Sequence, residues 1–116
     1  MNILFVCTSG KDRSPALVEH YSKLYPKHEF KSAGINNYFT GMYNKHHINQ
    51  DDIDWANLLV CCETVHKDYI IGRFSNIPCI KTLNCGHFSL EREQYYFENS
   101  DKIVPELINS LSPVQQ

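Results

Sequence analysis

Several features that mark particular classes of protein are absent from this sequence of 116 residues. It contains no apolar run close to the roughly 18 residues that a transmembrane helix requires. The net charge of −2 gives no reason to expect nucleic acid or an anionic membrane as a partner. The first residues, MNILFVC, lack the basic region and the small-residue cleavage site of a signal peptide. We therefore expect a cytoplasmic protein that binds neither nucleic acid nor membrane.

The sequence also lacks the cysteine and histidine patterns of a disulfide framework or a zinc site. The cysteines are Cys7, Cys61, Cys62, Cys79 and Cys85, an odd number with no Cys-x-x-Cys pair. Without an export signal, this number favours free thiols in a reducing compartment. The histidines are scattered, and the adjacent His46 and His47 cannot easily point at one metal ion from one element. We expect neither a metal site nor any other cofactor.

What the sequence does contain is an alternation of short apolar runs with segments of helical spacing. Strands are predicted over residues 2–6, 29–34, 57–62 and 77–83. Helices are predicted from an N-cap at Ser14 and Pro15 to Pro26, over 49–56, over 64–74 with an end near Gly72, and over 103–111 with Pro105 in the first turn. Residues 35–49 are expected to form an irregular surface loop.

Strands that alternate with helices over short connections predict a parallel sheet covered on both faces. The runs 2–6 and 57–62 are almost entirely apolar, which is typical of strands buried on both faces. We therefore expect residues 1–116 to form one α/β domain with a four-stranded parallel sheet in three αβα layers. Ligands of such sheets bind beyond the carboxyl ends of the strands, and Cys7 is placed at one of these ends.

The segment CTSGKDRSP (7–15) has the composition of an anion-binding loop between the first strand and the first helix. The unpaired N–H groups and the dipole at a helix N-terminus favour an anion. Gly10 can take a positive φ without strain, and the planar fork of Arg13 can bind two phosphate oxygens at once. The residues predicted to surround the anion are Thr8, Ser9, Gly10, Lys11, Asp12 and Arg13.

The same electrostatic environment predicts that Cys7 is a nucleophile. A free cysteine with a pKa of about 8.5 is mostly protonated at neutral pH. A helix N-terminus and a neighbouring cation lower the pKa of a thiol by several units, which makes the thiolate dominant. Ser14 is placed where its hydroxyl can donate a hydrogen bond to that thiolate. The loop is therefore expected to bind a tetrahedral anion and to activate a sulfur beneath it.

Cys-x5-Arg-Ser-Pro at the first strand–helix junction resembles the low-molecular-weight protein tyrosine phosphatases. KSAG (31–34) and DIDWANLLVCCETVHKDYI (52–70) resemble their second strand, third strand and following helix. The chain is shorter than the usual members, and its pattern is closest to a compact bacterial subgroup of predicted phosphatases. The resemblance implies hydrolysis of a tyrosine-phosphorylated protein or a small phosphate monoester through a cysteinyl-phosphate intermediate, with inorganic phosphate as product.

The resemblance also implies a general acid from a late Asp-Pro-Tyr-Tyr loop, but this chain contains no Asp-Pro. The segment EQYYFENSDKIV (93–104) runs parallel to that loop and places Glu93 on the acid. Tyr95 and Tyr96 fall on the aromatic residues that flank phosphotyrosine, and Tyr38 is expected to extend this aromatic slot. Glu91, Glu98 and Asp101 remain alternative proton donors, with Asp101 expected at the start of the last helix.

Two further departures from the family pattern leave other functions open. Gly10 replaces an asparagine that supports the loop in the family, and Asp12 replaces a second loop cysteine and is expected to face solvent. The altered acid loop is compatible with a module that binds phosphotyrosine but does not hydrolyse it. A thiol-linked arsenate reductase is a third hypothesis, because the chain has further cysteines. The adjacent Cys61 and Cys62, however, would pair only with strain.

Overall fold

The computed structural model describes residues 1–86 and 88–111. The strands are β1 (Asn2–Cys7), β2 (Glu29–Gly34), β3 (Leu58–Cys61) and β4 (Cys79–Thr82). The helices are α1 (Arg13–Leu24), α2 (Asn37–Met42), α3 (Gln50–Trp55), α4 (Thr64–Arg73), α5 (Glu93–Ser100) and α6 (Val104–Leu111), with a 3-10 turn at Leu90–Arg92. Across these two ranges, no helix has both the length and the apolar character needed to cross a bilayer.

The sheet has the strand order β2-β1-β3-β4, and every pairing is parallel. Cys7, the last residue of β1, pairs with Gly34, and Val6 pairs with Cys61 on the other side. The carboxyl ends of the two central strands therefore meet at one edge, where the chain enters the loop that precedes α1. The predicted four-stranded parallel sheet is confirmed.

Two apolar clusters, one on each face of the sheet, hold the three layers together. Alternate residues of β1 face opposite sides, and all of Ile3–Cys7 is buried. One face packs against α1, α5 and α6, from which Leu17, Tyr96 and Ile108 are buried. The other face packs against α3 and α4 through Ile53 and Ile70. The αβα arrangement predicted from continuous apolar strands is therefore confirmed.

Two helices were not expected from the sequence. The segment predicted as an irregular loop over 35–49 contains α2, whose first turn is capped by the side chain of Asn36 accepting from the Phe39 N–H. The stretch predicted as an acid loop forms α5 instead. Both helices are short, and neither has an apolar periodicity long enough to distinguish it from a loop.

Two predicted helix starts are also corrected. The N-cap of α1 is Asp12, not Ser14, and the Asp12 side chain makes no capping hydrogen bond. Asp101 does not start the last helix, because it is the C-cap of α5 and α6 begins at Val104. Its carboxylate accepts a 2.7 Å hydrogen bond from the Tyr21 hydroxyl, which joins α5 to α1.

Candidate active site

Two glycines allow the loop after β1 to pack directly against the end of β2. Gly10 has a φ of +71°, and a Cβ there would lie 3.1 Å from the backbone nitrogen of Gly34. A Cβ on Gly34 would approach the carbonyl carbon of Ser9 to 2.6 Å. The Asn36 N–H then donates to the Thr8 carbonyl at 2.9 Å. The loop conformation therefore depends on the strand beside it as well as on its own residues.

Cys7 lies at the bottom of this loop with 2% of its surface exposed. Its sulfur accepts a hydrogen bond from the Gly10 N–H at 3.1 Å and lies 3.0 Å from the hydroxyl oxygen of Ser14. A backbone amide and a hydroxyl are the two donors that a thiolate at this position would need. The structure therefore brings Cys7 and Ser14 together as the sequence predicted.

The Arg13 side chain is buried beside the cysteine and is held by two oxygen acceptors. Its guanidinium donates to the carboxylate of Glu63, which follows β3, and to the Thr8 hydroxyl oxygen at 3.4 Å. Burial alone would lower the pKa of Arg13, but the hydrogen bond to Glu63 and the nearby Cys62 and Cys7 raise it overall. The guanidinium is therefore a permanent cation with a fixed orientation.

A buried histidine connects the loop to α4. The His66 ring is fully buried; its Nε2 lies 3.0 Å from the Thr8 hydroxyl oxygen, and its Nδ1 accepts from the Glu63 N–H at 3.0 Å. Burial, with the Arg13 cation nearby, lowers the pKa of His66 to about 4. The ring is therefore neutral at pH 7 and is a structural partner of Thr8.

Two adjoining depressions open above the cysteine. A cavity of about 100 Å³ is lined by Cys7, Thr8, Ser9, Asp12, Arg13 and Phe88. It shares Asp12 and Phe88 with a groove of about 510 Å³ that also reaches Lys11 and Glu93. Cys7 and Arg13 line the small cavity and are not part of the groove lining. The described residues contain no cluster of histidine, cysteine and carboxylate side chains that could hold a metal ion.

The remaining loop residues take different positions around the cavity. The backbone N–H of Lys11 donates to the Ser9 hydroxyl at 3.2 Å, and its ammonium group lies 4.2 Å from the ring centre of Tyr43. Asp12 is exposed, as expected, but it also borders the cavity, so it does not face bulk solvent alone. Glu93 lies at the first position of α5 and lines the groove.

The structure does not bring the three predicted tyrosines to the cavity. Tyr96 is 1% exposed because α5 turns it into the core, where its hydroxyl faces the sulfur of Cys62 at 3.8 Å. Tyr95 lies on the outer side of α5, under the Arg92 guanidinium. Tyr38 is 70% exposed on α2. The aromatic ring that does border the cavity is Phe88.

The alternative proton donors are likewise outside the groove lining. Glu98 accepts a hydrogen bond from the Gln94 side chain, and Asp101 accepts from Tyr21. Glu91 is exposed in the 3-10 turn. Glu93 is therefore the one member of the predicted set that reaches the groove, whose lining also includes the carboxylates of Asp12 and Glu19.

Glu63, His66 and Phe88 were missed as site residues by sequence reasoning. Glu63 and His66 lie in CETVH, directly after β3, so their position at the carboxyl edge of the sheet was a usable signal. Phe88 lies in a segment with no periodicity, and only the folded chain shows that it lines the cavity together with Asp12.

No family model matches the chain. Over 90 residues it is 28% identical to the low molecular weight protein-tyrosine-phosphatase PtpB of Staphylococcus aureus. That alignment covers 64% of this chain and 65% of the relative, so the chain matches just under two thirds of that protein's length.

Solved phosphatase structures share the fold. The YwlE arginine phosphatase from Geobacillus stearothermophilus has a TM-score of 0.64 and 21% identity, covering 91% of this chain and 92% of that one. A cysteine-to-serine mutant of YwlE with a phosphorylated active site serine has a TM-score of 0.69 at 16% identity, covering 99% and 98%. SP-PTP, a low molecular weight protein tyrosine phosphatase from Streptococcus pyogenes, has a TM-score of 0.67 at 11% identity, covering 98% and 95%. In sequence and in fold, the chain thus has the resemblance to the low-molecular-weight protein tyrosine phosphatases that its Cys-x5-Arg-Ser-Pro motif predicted.

Proposed function

We propose that the protein hydrolyses phosphate monoesters through a cysteinyl-phosphate intermediate on Cys7. The observation that carries the proposal is the small cavity itself, in which a buried sulfur with two hydrogen-bond donors faces a buried, oriented guanidinium. The first-turn N–H groups of α1 and the Arg13 fork provide the positive field for a phosphoryl group. The similarity to named phosphatases supports the same conclusion.

In the first step, the Cys7 thiolate attacks phosphorus and forms a sulfur–phosphorus bond as the bond to the leaving oxygen breaks. Arg13 binds two of the equatorial oxygens and stabilises the charge that spreads over them in the transition state. Glu93, in its acid form, donates a proton to the leaving oxygen from the groove. The alcohol or phenol then departs along the groove.

In the second step, water attacks the cysteinyl phosphate and the sulfur–phosphorus bond breaks. The Glu93 carboxylate takes the proton from this water, so the acid form is regenerated with each cycle. Inorganic phosphate is released and Cys7 returns to the thiolate. Gly10 and Ser14 act in both steps, because their donors stabilise the sulfur anion when it is not bound to phosphorus.

The direct test is release of inorganic phosphate from an aryl phosphate by the wild-type protein and by Cys7→Ser. The serine variant should lose turnover, because a hydroxyl is a much weaker nucleophile than a thiolate, while binding of phosphate or vanadate should remain largely intact. A serine variant with a tenth or more of wild-type activity would contradict the covalent mechanism. A wild-type protein that binds phosphotyrosine without turnover would support the binding-module function instead.

Phosphotyrosine is the substrate predicted from the sequence, and the assay should include phosphoarginine beside it. Three carboxylates, Asp12, Glu19 and Glu93, border the groove. Glu19 pairs with Lys23, whereas Asp12 and Glu93 have no ion pair within the described part of the chain. Such carboxylates suit a cationic leaving group, and two of the similar structures are named arginine phosphatases. The ratio of kcat/KM for the two substrates decides between them.

One observation favours arsenate reduction as a second candidate. Cys62 directly follows β3, its N–H donates to the Val6 carbonyl, and it lies in the same apolar cluster as Cys7, the last residue of the adjacent strand β1. Burial raises the pKa of Cys62, however, so this thiol is protonated at neutral pH and is a weak nucleophile where it stands. Arsenate-dependent oxidation of a dithiol, lost in Cys62→Ser, would support the reductase, whereas phosphate release that Cys62→Ser retains supports the phosphatase.

A further inference from the structure

We propose that the Thr8 hydroxyl donates a hydrogen bond to the bound phosphoryl group and that His66 sets the direction of that hydroxyl. This inference rests on the proposed function, because it assigns a role within the same anion site. Thr8 was expected to contribute only as part of the surrounding loop. The contacts of its side chain, together with the unexpected burial of His66, give it a specific role.

The hydrogen bonds of His66 fix the position of the proton on its ring. The Glu63 backbone N–H can only donate, and it lies 3.0 Å from Nδ1, so Nδ1 must be an unprotonated acceptor. A neutral imidazole then carries its proton on Nε2. This Nε2–H points at the Thr8 hydroxyl oxygen, 3.0 Å away, and is the donor in that hydrogen bond. The ring has no acceptor left with which to receive the Thr8 proton.

The hydrogen bonds at the Thr8 oxygen then fix the direction of the Thr8 proton. A hydroxyl has two acceptor positions and one donor. One acceptor position is filled by His66, and the other by the Arg13 guanidinium at 3.4 Å. Both neighbours are donors that cannot accept, so the Thr8 proton must point elsewhere. Within residues 1–86 and 88–111, the Thr8 hydroxyl has no further hydrogen-bond partner.

The Thr8 proton can point into the small cavity. Thr8 lines the small cavity together with Cys7 and Arg13. A phosphoryl oxygen in that cavity is the acceptor that completes the hydrogen bonding of the hydroxyl. The chain of donors then runs from the Glu63 N–H through His66 and Thr8 to the phosphoryl group. Thr8 is therefore a binding residue through its side chain, and His66 is a positioning residue.

The first experiment measures the binding of inorganic phosphate to the full chain by calorimetry at pH 7. Thr8→Val replaces the hydroxyl with a methyl group and should weaken binding about tenfold, the typical loss of one hydrogen bond to a charged group. Thr8→Ser keeps the hydroxyl and should bind within about threefold of wild type. Thr64→Val, the same change at an exposed threonine of α4, is the matched control and should have no effect. Wild-type affinity in Thr8→Val, or a loss in Thr8→Ser equal to that in Thr8→Val, would overturn the role of Thr8.

The second experiment separates positioning by His66 from a general structural effect. If His66 acts through Thr8, the double variant His66→Leu with Thr8→Val should bind phosphate no more weakly than Thr8→Val alone. Losses that multiply would overturn the positioning role. Because a buried leucine can prevent folding, the wild-type protein provides an independent measurement: the ¹⁵N resonances of the His66 ring should show the proton on Nε2. A proton on Nδ1 would overturn the proposed order of donors.

Phosphate affinity and phosphate-ester hydrolysis test this inference and the proposed function separately. A wild-type protein that binds phosphate but hydrolyses no phosphate ester would refute hydrolysis, while the affinities of Thr8→Val and Thr8→Ser would still decide the role of the hydroxyl. Hydrolysis by the wild type combined with unchanged phosphate affinity in Thr8→Val would refute this inference alone.

Discussion

The hydroxyl oxygen of Ser14 lies 3.0 Å from the sulfur of Cys7, across the turn that leads from β1 into α1. Ser14 is fully buried in the first turn of α1, one residue after Arg13. Because α1 begins at Arg13, Ser14 is inside the helix and does not cap it. Its hydroxyl is therefore available to the sulfur, and the same turn places the Arg13 guanidinium and the Cys7 sulfur in one cavity.

Ser14→Ala should lower kcat/KM for an aryl phosphate by about tenfold to a hundredfold. A hydrogen bond to a charged group is worth roughly 1.5–3 kcal/mol, and the thiolate would lose one of its two donors. Steady-state kinetics at pH 7 checks this. Ser22→Ala, an exposed serine on the same helix, is the matched control and should retain full activity. Activity of Ser14→Ala within twofold of wild type would contradict a role for this hydroxyl.

Arg13→Lys should lower kcat/KM at least about tenfold, which corresponds to more than 1.4 kcal/mol of transition-state stabilisation. Lysine keeps the charge but cannot bind two phosphate oxygens in one plane, and it cannot reproduce the contacts to Glu63 and Thr8. The comparison is with Arg73→Lys, an exposed arginine at the end of α4. Equal kinetics for the two variants would show that charge alone is sufficient at position 13.

Glu93→Gln should slow the hydrolysis of phosphotyrosine far more than the hydrolysis of a nitrophenyl phosphate. General acid catalysis is worth roughly 10²–10⁴-fold and matters most for a leaving group that is hard to expel unprotonated. Kinetics with both substrates and the high-pH limb of the kcat profile report the effect. Glu98→Gln, outside the groove on the same helix, is the control. If Glu93→Gln behaves as wild type while Asp101→Asn loses activity, the acid has been misassigned.

Gly34→Ala should reduce both stability and activity, because the new Cβ would approach the Ser9 and Gly10 backbone to 2.6 and 2.7 Å. Backbone atoms at this distance cannot move aside without deforming the loop that joins β1 to α1. Gly72→Ala is the opposite case, since a Cβ there has no neighbour within 4 Å and alanine favours the helix by roughly 0.5–1 kcal/mol. Urea denaturation should show Gly34→Ala destabilised and Gly72→Ala slightly stabilised. A Gly34→Ala protein with wild-type stability would show that the loop can shift freely.

His66 should make the protein less stable as the pH falls from about 6.5 to about 4. Its pKa is about 4 in the folded chain because of burial and Arg13, with Glu63 acting in the opposite direction, and 6.5 for an ordinary histidine. The unfolded chain therefore binds a proton that the folded chain does not, and unfolding is favoured by acid throughout this range. The loss reaches about 3 kcal/mol at the low end. Urea denaturation at pH 7 and pH 5 should show a smaller difference in the free energy of unfolding for His66→Gln than for wild type. An identical pH dependence in the two proteins would exclude a buried neutral His66.

The sequence alone was sufficient to predict the strands and helices that have a strong apolar pattern. All four strands were predicted to within two residues at each end, and the position of Pro105 in the first turn of α6 was predicted correctly. The prediction failed for α2 and α5, because the segments NYFTGM and EQYYFENS lack the regular apolar spacing that marks a helix. The Ser14 N-cap was also wrong, because α1 begins at Arg13 and the Ser14 hydroxyl lies 3.0 Å from the Cys7 sulfur.

By itself, the sequence determined the residues that local geometry brings together. Cys7, Gly10, Arg13 and Ser14 lie within one strand–turn–helix. The spacing of the chain is therefore enough to place the Gly10 N–H and the Ser14 hydroxyl at the Cys7 sulfur, and Arg13 in the same cavity as Cys7. Tertiary structure alone decided which distant groups join these residues. Glu63 and His66, which follow β3, contact Arg13 and Thr8, because parallel strands deliver their carboxyl ends to one edge of the sheet. From the segment after β4, Phe88 lines the cavity and Glu93 lines the adjoining groove. Tertiary structure also decided where the two tyrosines of α5 lie. The helix buries Tyr96 in the core and leaves Tyr95 on its outer side, so neither ring reaches the cavity.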